Sequence, residues 1–107
     1  MKTAICAISN ELSSTIDPRF GRCSYFAIYD NETNDITFVP NTSKDALEGA
    51  GPEAAKNLAS MNVKMVISGE FGGKVKAIFD KLQIRMVVIP DSTKTIDTII
   101  TNLKLNN

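Results

Sequence analysis

Residues 17–23, with the sequence DPRFGRC, place a thiol close after two guanidinium groups in a short segment. The thiolate is the metal-binding form of cysteine, and neighbouring cations favour it electrostatically. The guanidinium groups of Arg19 and Arg22 also suit an anionic ligand, whether a phosphate, a carboxylate or a negatively charged cluster. Cys23 is therefore a candidate soft metal ligand in a positively charged setting.

The same segment has a structural interpretation, which the residue types alone leave open. Phe20 would fill the core, Gly21 would supply an unusual backbone dihedral angle, and Cys23 would be a small buried hydrophobe beside solvated arginines. The second cysteine, Cys6, falls inside the first predicted strand, where a buried and inert thiol is expected.

Two glycine-rich segments resemble nucleotide-binding loops only in part. Residues 49–54, GAGPEA, fit the dinucleotide pattern, but a long loop precedes them and helix capping is the expected role. The helix start near Gly51 and Pro52 still offers backbone N–H groups to an anion. Residues 68–74 lack both the first glycine and the final Ser or Thr of a phosphate-binding Walker loop, so no ATP site is predicted.

The chain of 107 residues contains no histidine and no tryptophan. A serine hydrolase would need its histidine base, and a two-metal nuclease would need converging carboxylates, which the first predicted strand does not supply. Structural zinc would need about four ligands of the cysteine or histidine type, and the chain has two. Serine hydrolase activity, two-metal nuclease activity and a structural zinc site are therefore not expected.

The overall charge is balanced, with 12 basic and 12 acidic side chains. Nucleic acid is therefore a disfavoured partner, since duplex-binding domains usually carry a basic excess. No apolar run approaches the ~20 residues that span a membrane, and no secretory signal is apparent. The expectation is a single domain over residues 1–107, located in the cytoplasm with both thiols reduced.

Hydrophobic periodicity predicts five strands and three helices in the order β-β-β-α-β-α-β-α. The last helix is expected to have Ser92 or Thr93 as its cap, and a tail of residues 106–107 is expected to be frayed. The predicted strands are 2–9, 25–29, 36–39, 65–67 and 84–89, and the predicted helices are 52–61, 71–82 and 96–103.

This order predicts one mixed sheet with helices packed on it. If only the second strand is antiparallel, the loops after the other four strands and the starts of all three helices meet at one edge. Ligands of open α/β sheets favour such an edge. The segment with Cys23 is expected in the middle of it.

Together these segments resemble the dinitrogenase iron–molybdenum cofactor biosynthesis family of nitrogenase accessory factor-like domains. The resemblance spans nearly the whole chain. It rests on residues 17–22 (DPRFGR), Tyr25, Phe26, Asp30, residues 49–51 (GAG), residues 66–69 (VISG) and Gly72.

The resemblance implies a ribonuclease H-like three-layer α/β fold, with sheet order 3-2-1-4-5 and an antiparallel second strand. It also implies a non-enzymatic carrier of an iron–sulfur or iron–molybdenum type cluster or its precursor, with metal-cofactor assembly proteins as partners. Members best tied to nitrogenase resemble this segment but carry histidine where Arg19 stands. Arg19 therefore replaces one soft ligand with a cation.

On this reading Cys23 is the metal ligand, and Arg19, Phe20, Gly21, Arg22 and Gly51 contact the cofactor. The arginines compensate the charge of the cluster, and Gly21 permits close approach. Two alternatives remain: a sensor of a phosphorylated or carboxylated metabolite at the same edge, and a protein-interaction domain. The protein is expected to be a monomer or a weak homodimer.

Overall fold

The computed structural model describes residues 1–105, and the predicted frayed tail lies outside these residues. The chain forms one five-stranded sheet in the order β3-β2-β1-β4-β5, with three helices. The strands are β1 (Lys2–Ala7), β2 (Tyr25–Asp30), β3 (Ile36–Pro40), β4 (Val63–Ser68) and β5 (Arg85–Val88), and the helices are α1 (Ala50–Ser60), α2 (Val75–Leu82) and α3 (Ile96–Leu105).

The predicted α/β fold and sheet order are confirmed. β1 pairs antiparallel with β2 and parallel with β4, while β2 pairs antiparallel with β3 and β4 pairs parallel with β5. Strands β1, β3, β4 and β5 therefore run in one direction, and only β2 runs in the other. The carboxyl ends of the four codirectional strands consequently share one edge of the sheet.

The sheet is the middle of three layers because its central strand is apolar on both faces. On β1, Ala4 and Cys6 belong to a core that includes residues of α1 and α2. Ile5 and Ala7 belong to a second core that includes residues of α3. All four side chains are fully buried. Alternate side chains of a strand point to opposite faces, so two helical layers are needed to cover this strand.

Two strands are shorter than predicted, and one of them is also less buried. β1 ends at Ala7 instead of Ser9, and Ile8 is 52% exposed because it lies beyond the sheet. The last strand was predicted to be buried from Ile84 to Ile89, whereas β5 covers Arg85–Val88 and is at most half-buried. β5 is an edge strand that pairs only with β4, so one side of it has no neighbouring strand.

The helix starts also differ from the predicted ones. α1 begins at Ala50 after the left-handed Gly49, so Pro52 is its third residue and not its first. A proline is tolerated there because the first N–H groups of a helix have no intrahelical acceptor. α2 begins at Val75 and not at residue 71, after a turn that contains Gly72.

The predicted cap of the last helix was wrong. α3 begins at Ile96, and the hydroxyl of Thr95 accepts a hydrogen bond of 3.2 Å from the N–H of Thr98. Ser92 and Thr93 lie earlier, in the turn where the Asp91 carboxylate accepts a hydrogen bond from the Thr93 N–H. Over residues 1–105, none of the helices combines the length and apolar character required to cross a bilayer.

Candidate functional site

A surface groove lies where the start of α1 meets the start of α2. Its volume is about 730 Å³. Three segments line this α1–α2 groove: Phe20 and Arg22, residues 48–52, and residues 72–75. Sheet topology brings them together, because the loops after β1, β3 and β4 open at the same edge. The sheet edge at which the sequence predicted the site therefore carries a concave surface.

The α1–α2 groove is positively charged at three points. Arg22 and Lys74 line it, and Glu48 is its one acidic lining residue among those described. α1 begins at Ala50 inside the groove, and its first N–H groups carry the partial positive charge of a helix start. The aromatic side chain of Phe20, which is 8% exposed, adds an apolar contact. The groove thus suits an anion with a partly apolar surface.

Cys23 does not reach the surface of this groove. Its side chain is fully buried, in the same core cluster as Cys6, Phe20 and Phe26. The buried amide of Asn41 covers it, with Nδ2 4.0 Å from Sγ. In this conformation the thiol cannot contact a ligand in the groove. Metal ligation by Cys23 therefore stays a prediction, and it requires the segment to open.

The two cysteine thiols are neighbours. Burial raises the pKa of the Cys6 thiol well above its ordinary value, and contact with the Cys23 thiol raises it further. Both cysteines are free rather than disulfide-bonded. A neutral thiol is a poor nucleophile and a poor metal ligand, so the Cys6 thiol is unreactive while the fold stays closed.

This contact predicts a pH dependence of stability. The ordinary pKa of the Cys6 thiol is 9.0, and folding raises it, so the neutral thiol is the form that stabilises the native state. The stabilisation is complete below pH 9 and is lost as the pH rises towards the native pKa. Relative to Cys6→Ala, wild type should lose about 1.4 kcal/mol of unfolding free energy per pH unit above pH 9. Urea unfolding of both proteins between pH 7 and pH 10.5 measures this, and parallel curves would contradict it.

Arg19 lies outside the α1–α2 groove. Its guanidinium group donates hydrogen bonds of 3.2 and 3.1 Å to the carboxylate of Asp17, which is 2% exposed. The same carboxylate accepts the backbone N–H of Arg19 at 2.9 Å. Hydrogen bonding to Asp17 raises the pKa of Arg19. Arg19 and Arg22 therefore serve different contacts, although the sequence suggested that both flank one ligand.

Gly21 makes a close approach, but to the protein backbone. Its φ angle is +92°, and a Cβ atom there would lie 2.8 Å from the Cα atom and 2.9 Å from the nitrogen of Gly51. Gly51 lies in the first turn of α1, so this contact sets the helix start against the segment that carries Arg22. A similar contact joins Gly69 to Pro18, where a Cβ would lie 2.6 Å from the Cα atom.

Two residues of the site were missed by the sequence analysis. Lys74 was considered only as part of an incomplete Walker loop, although a lysine just before a helix at this edge could have been identified as a candidate cation. No sequence pattern pointed to Asn41, because its role depends on hydrogen bonds to backbone groups that are distant from it in the sequence. Its Nδ2 donates hydrogen bonds of 2.9 Å to the carbonyl oxygens of Gly21 and Cys23, and its Oδ1 accepts the Ser43 N–H at 3.0 Å.

A conventional metal centre built from protein ligands is absent from the described part of the chain. Residues 1–105 contain no cluster of three or more cysteine, aspartate or glutamate side chains that could hold a metal ion. The positive charge of the groove suits an anionic species better than a bare cation.

A three-layer α/β domain with a cationic groove at the carboxyl edge of its sheet has a structure suited to binding a small anionic ligand. The chain belongs to the dinitrogenase iron-molybdenum cofactor family, whose sequence model matches residues 1–106. The family resemblance drawn from the sequence is thereby confirmed. Membership indicates a role related to that cofactor or to cluster binding, in a family of accessory or carrier domains.

Individual relatives support this assignment. The chain is 33% identical over 87 residues to the uncharacterized protein MJ0580 of Methanocaldococcus jannaschii, covering 78% of this chain and 70% of the relative. The apo form of the orange protein from Desulfovibrio gigas has a similar structure, with TM-score 0.89, 25% identity, and coverage of 98% of this chain and 88% of that one. A NifB-like protein from Thermotoga gives a TM-score of 0.81 with 28% identity, covering 97% and 87%.

Proposed function

We propose that this protein is a non-enzymatic carrier that binds an anionic iron–sulfur or iron–molybdenum type cluster, or its precursor, in the α1–α2 groove. The observation that carries the proposal is the placement of Arg22 and Lys74 around Phe20 at the start of α1. The family match gives the class of cargo. The partners of such a carrier would be metal-cofactor assembly proteins.

Charge complementarity is the main source of affinity in this proposal. A synthesised cluster brings its own sulfides, so it needs few ligands from the protein. Guanidinium and ammonium groups with free donors compensate its negative charge, and hydrogen bonds to charged groups are stronger than neutral ones. Phe20 contacts the less polar surface of the cluster. In this arrangement Arg22, Phe20 and Gly51 act at the groove, and Arg19 acts by holding Asp17 and the segment in place.

Cys23 would enter in a second step. Its thiol is covered by Asn41 and is fully buried, so a bond from Sγ to iron requires residues 21–23 to move away from Asn41. A cluster docked in the groove by charge could then exchange one of its external ligands for the thiolate. Cys23 would therefore determine how long the bound cluster is retained, and Arg22 would determine how tightly the cluster first binds.

The test is anaerobic binding of a synthetic [4Fe–4S] thiolate dianion, followed by visible absorption and iron content. Arg22→Gln and Lys74→Gln should each weaken binding about tenfold, because each removes one charge-assisted contact worth about 1.5 kcal/mol. Lys56→Gln is the matched control, because Lys56 is exposed on α1 but does not line the groove. Equal losses for all three variants would contradict a localised site.

The thiolate step is tested separately. With Cys23→Ala, the initial binding should be unchanged, while the cluster should be removed faster on dilution or gel filtration. Equal retention by wild type and Cys23→Ala would exclude the thiolate ligand but leave the groove intact as the binding site. Circular dichroism of the variant shows that the fold is preserved.

A second candidate function is favoured by the burial of Cys23. A groove with two cations and no accessible thiol also suits a phosphorylated or carboxylated metabolite, which needs no soft ligand. The protein would then be a sensor module. It would bind inorganic phosphate or a phosphorylated sugar with Arg22-dependent affinity, and it would acquire no iron from the synthetic cluster.

A further inference from the structure

Arg22 has two roles at once, since it lines the α1–α2 groove and also holds a neighbouring loop. Its Nη1 donates hydrogen bonds to the carbonyl oxygens of Lys44, at 2.9 Å, and Ala46, at 2.5 Å. These residues belong to the loop of residues 42–48, which connects β3 to α1. One planar side chain therefore joins the β1–β2 segment at the groove to residues that lie 22 and 24 positions further along the chain.

The guanidinium group has donors left for a ligand. It carries five N–H groups in one plane, and the contacts to the 42–48 loop use only those on Nη1. Within residues 1–105, no hydrogen bond is formed by its Nε or Nη2. An anion in the groove can therefore bind those donors while Nη1 keeps both carbonyl oxygens. Binding and loop attachment need not compete.

The 42–48 loop has few other attachments near its tip. Ser43, near the start of the loop, is buried and bonded to Asn41, Glu53 and Asn57. Beyond it, the backbone bonds of the described residues are those from Lys44 N to Asn41 O, at 3.4 Å, and from Ala46 N to Ser43 O, at 3.1 Å. Leu47 is 98% exposed, and the loop ends at Gly49 with a φ angle of +69°. Segments with so few buried contacts open locally at low free-energy cost. The two bonds from Arg22 are consequently a large share of what orders this tip.

We propose that Arg22 couples occupancy of the α1–α2 groove to the order of the 42–48 loop, so that anion binding fixes the loop and a fixed loop strengthens anion binding. The inference rests on the proposed function, and it adds a regulated element to that site. The physical basis is entropic. The side chain of Arg22 loses rotamer freedom when it binds the loop. An anion that already holds the guanidinium group in place removes that entropic cost from loop binding. The coupling is reciprocal, so a bound loop lowers the same cost for anion binding.

The experiment is hydrogen exchange of the 42–48 loop, measured by mass spectrometry with and without the synthetic [4Fe–4S] dianion. In wild type, the exchange of the loop amides should be at least about fivefold slower when the cluster is bound. A factor of five is the lower end of typical coupling between sites. Arg22→Lys keeps the charge but lacks the planar fork that can hold two carbonyls and an anion together. It should retain more affinity than Arg22→Gln, yet show faster loop exchange without the cluster and no added protection with it.

Lys74→Gln is the contrasting variant, since Lys74 lines the groove but, within residues 1–105, forms no hydrogen bond or ion pair with the loop. At saturating cluster it should show the full protection of wild type despite its weaker binding. Cluster binding without any change in loop exchange would overturn the coupling and leave the carrier function standing. Absence of cluster binding in wild type would overturn the carrier function. In that case, equal hydrogen exchange of the loop amides in unliganded wild type and unliganded Arg22→Lys would also show that Arg22 does not hold the loop.

Discussion

Gly21→Ala should lower the free energy of unfolding by about 3 kcal/mol or more, one of the two largest single-residue effects that the structure predicts. Two costs add at this position. A φ angle of +92° is an unfavourable backbone conformation for alanine. In addition, the alanine Cβ would lie 2.8 Å from the Cα atom of Gly51, a backbone atom that cannot rotate away. Urea denaturation measures the change as a lower midpoint at constant slope.

Gly49→Ala is the matched control for this prediction. Gly49 also has a positive φ angle, of +69°, but within residues 1–105 no heavy atom beyond Gly49 and its two chain neighbours lies within 4 Å of its Cβ position. It should therefore show only the conformational cost, about 1–2 kcal/mol. If the two variants lose the same stability, the close packing of Gly21 on Gly51 contributes nothing. If Gly21→Ala loses more, the residual folded protein should also bind the synthetic cluster less tightly, because the start of α1 is displaced from Arg22.

The second large effect is expected for Asn41→Ala, which should lower the free energy of unfolding by about 2–4 kcal/mol. The Asn41 side chain is buried and bonds the carbonyl oxygens of Gly21 and Cys23 and the N–H of Ser43. Its removal leaves these backbone groups without partners in a dry region. Because Asn41 also covers Cys23, the variant should expose this thiol to maleimide labelling faster than wild type.

Asn57→Ala provides the comparison for Asn41. The Asn57 amide donates one long hydrogen bond of 3.4 Å to the Ser43 hydroxyl in a partly buried position, so its loss should cost about 0.5 kcal/mol. Labelling of Cys23 should stay slow in this variant. Comparable destabilisation in the two proteins would mean that the Asn41 contacts are replaced by water, and that the amide does not fix the segment.

Much of the fold could be predicted from the sequence because its determinants are local. The continuous apolar run of β1 and the helical spacing of Phe79 and its neighbours indicate element types without tertiary information. The crossover rules then limit the sheet to few topologies, and the observed order is one of them. Boundaries failed where the deciding contact was specific, as at Gly49 and Thr95, where a left-handed residue or a hydroxyl cap starts the helix.

The candidate site was predicted in position but not in composition. Arg22, Phe20 and Gly51 meet at the expected edge, and Lys74 joins them from a segment 52 positions after Arg22 in the chain. Arg19 is separated from them because Asp17, two residues earlier, offers a buried carboxylate at hydrogen-bond distance. Residue types showed that a cation stood beside a thiol, but they did not show which partner each side chain would choose.

The sequence by itself determined the family, the three-layer architecture and the sheet edge at which the groove lies, since these follow from motif identity and from the periodicity of apolar residues. Only the tertiary structure decided that Cys23 is buried, that Gly21 packs on Gly51 and that Asn41 joins two loops. These outcomes depend on which distant backbone segments approach one another. Burial and hydrogen bonding are properties of the packed chain, so neighbouring residue types cannot specify them.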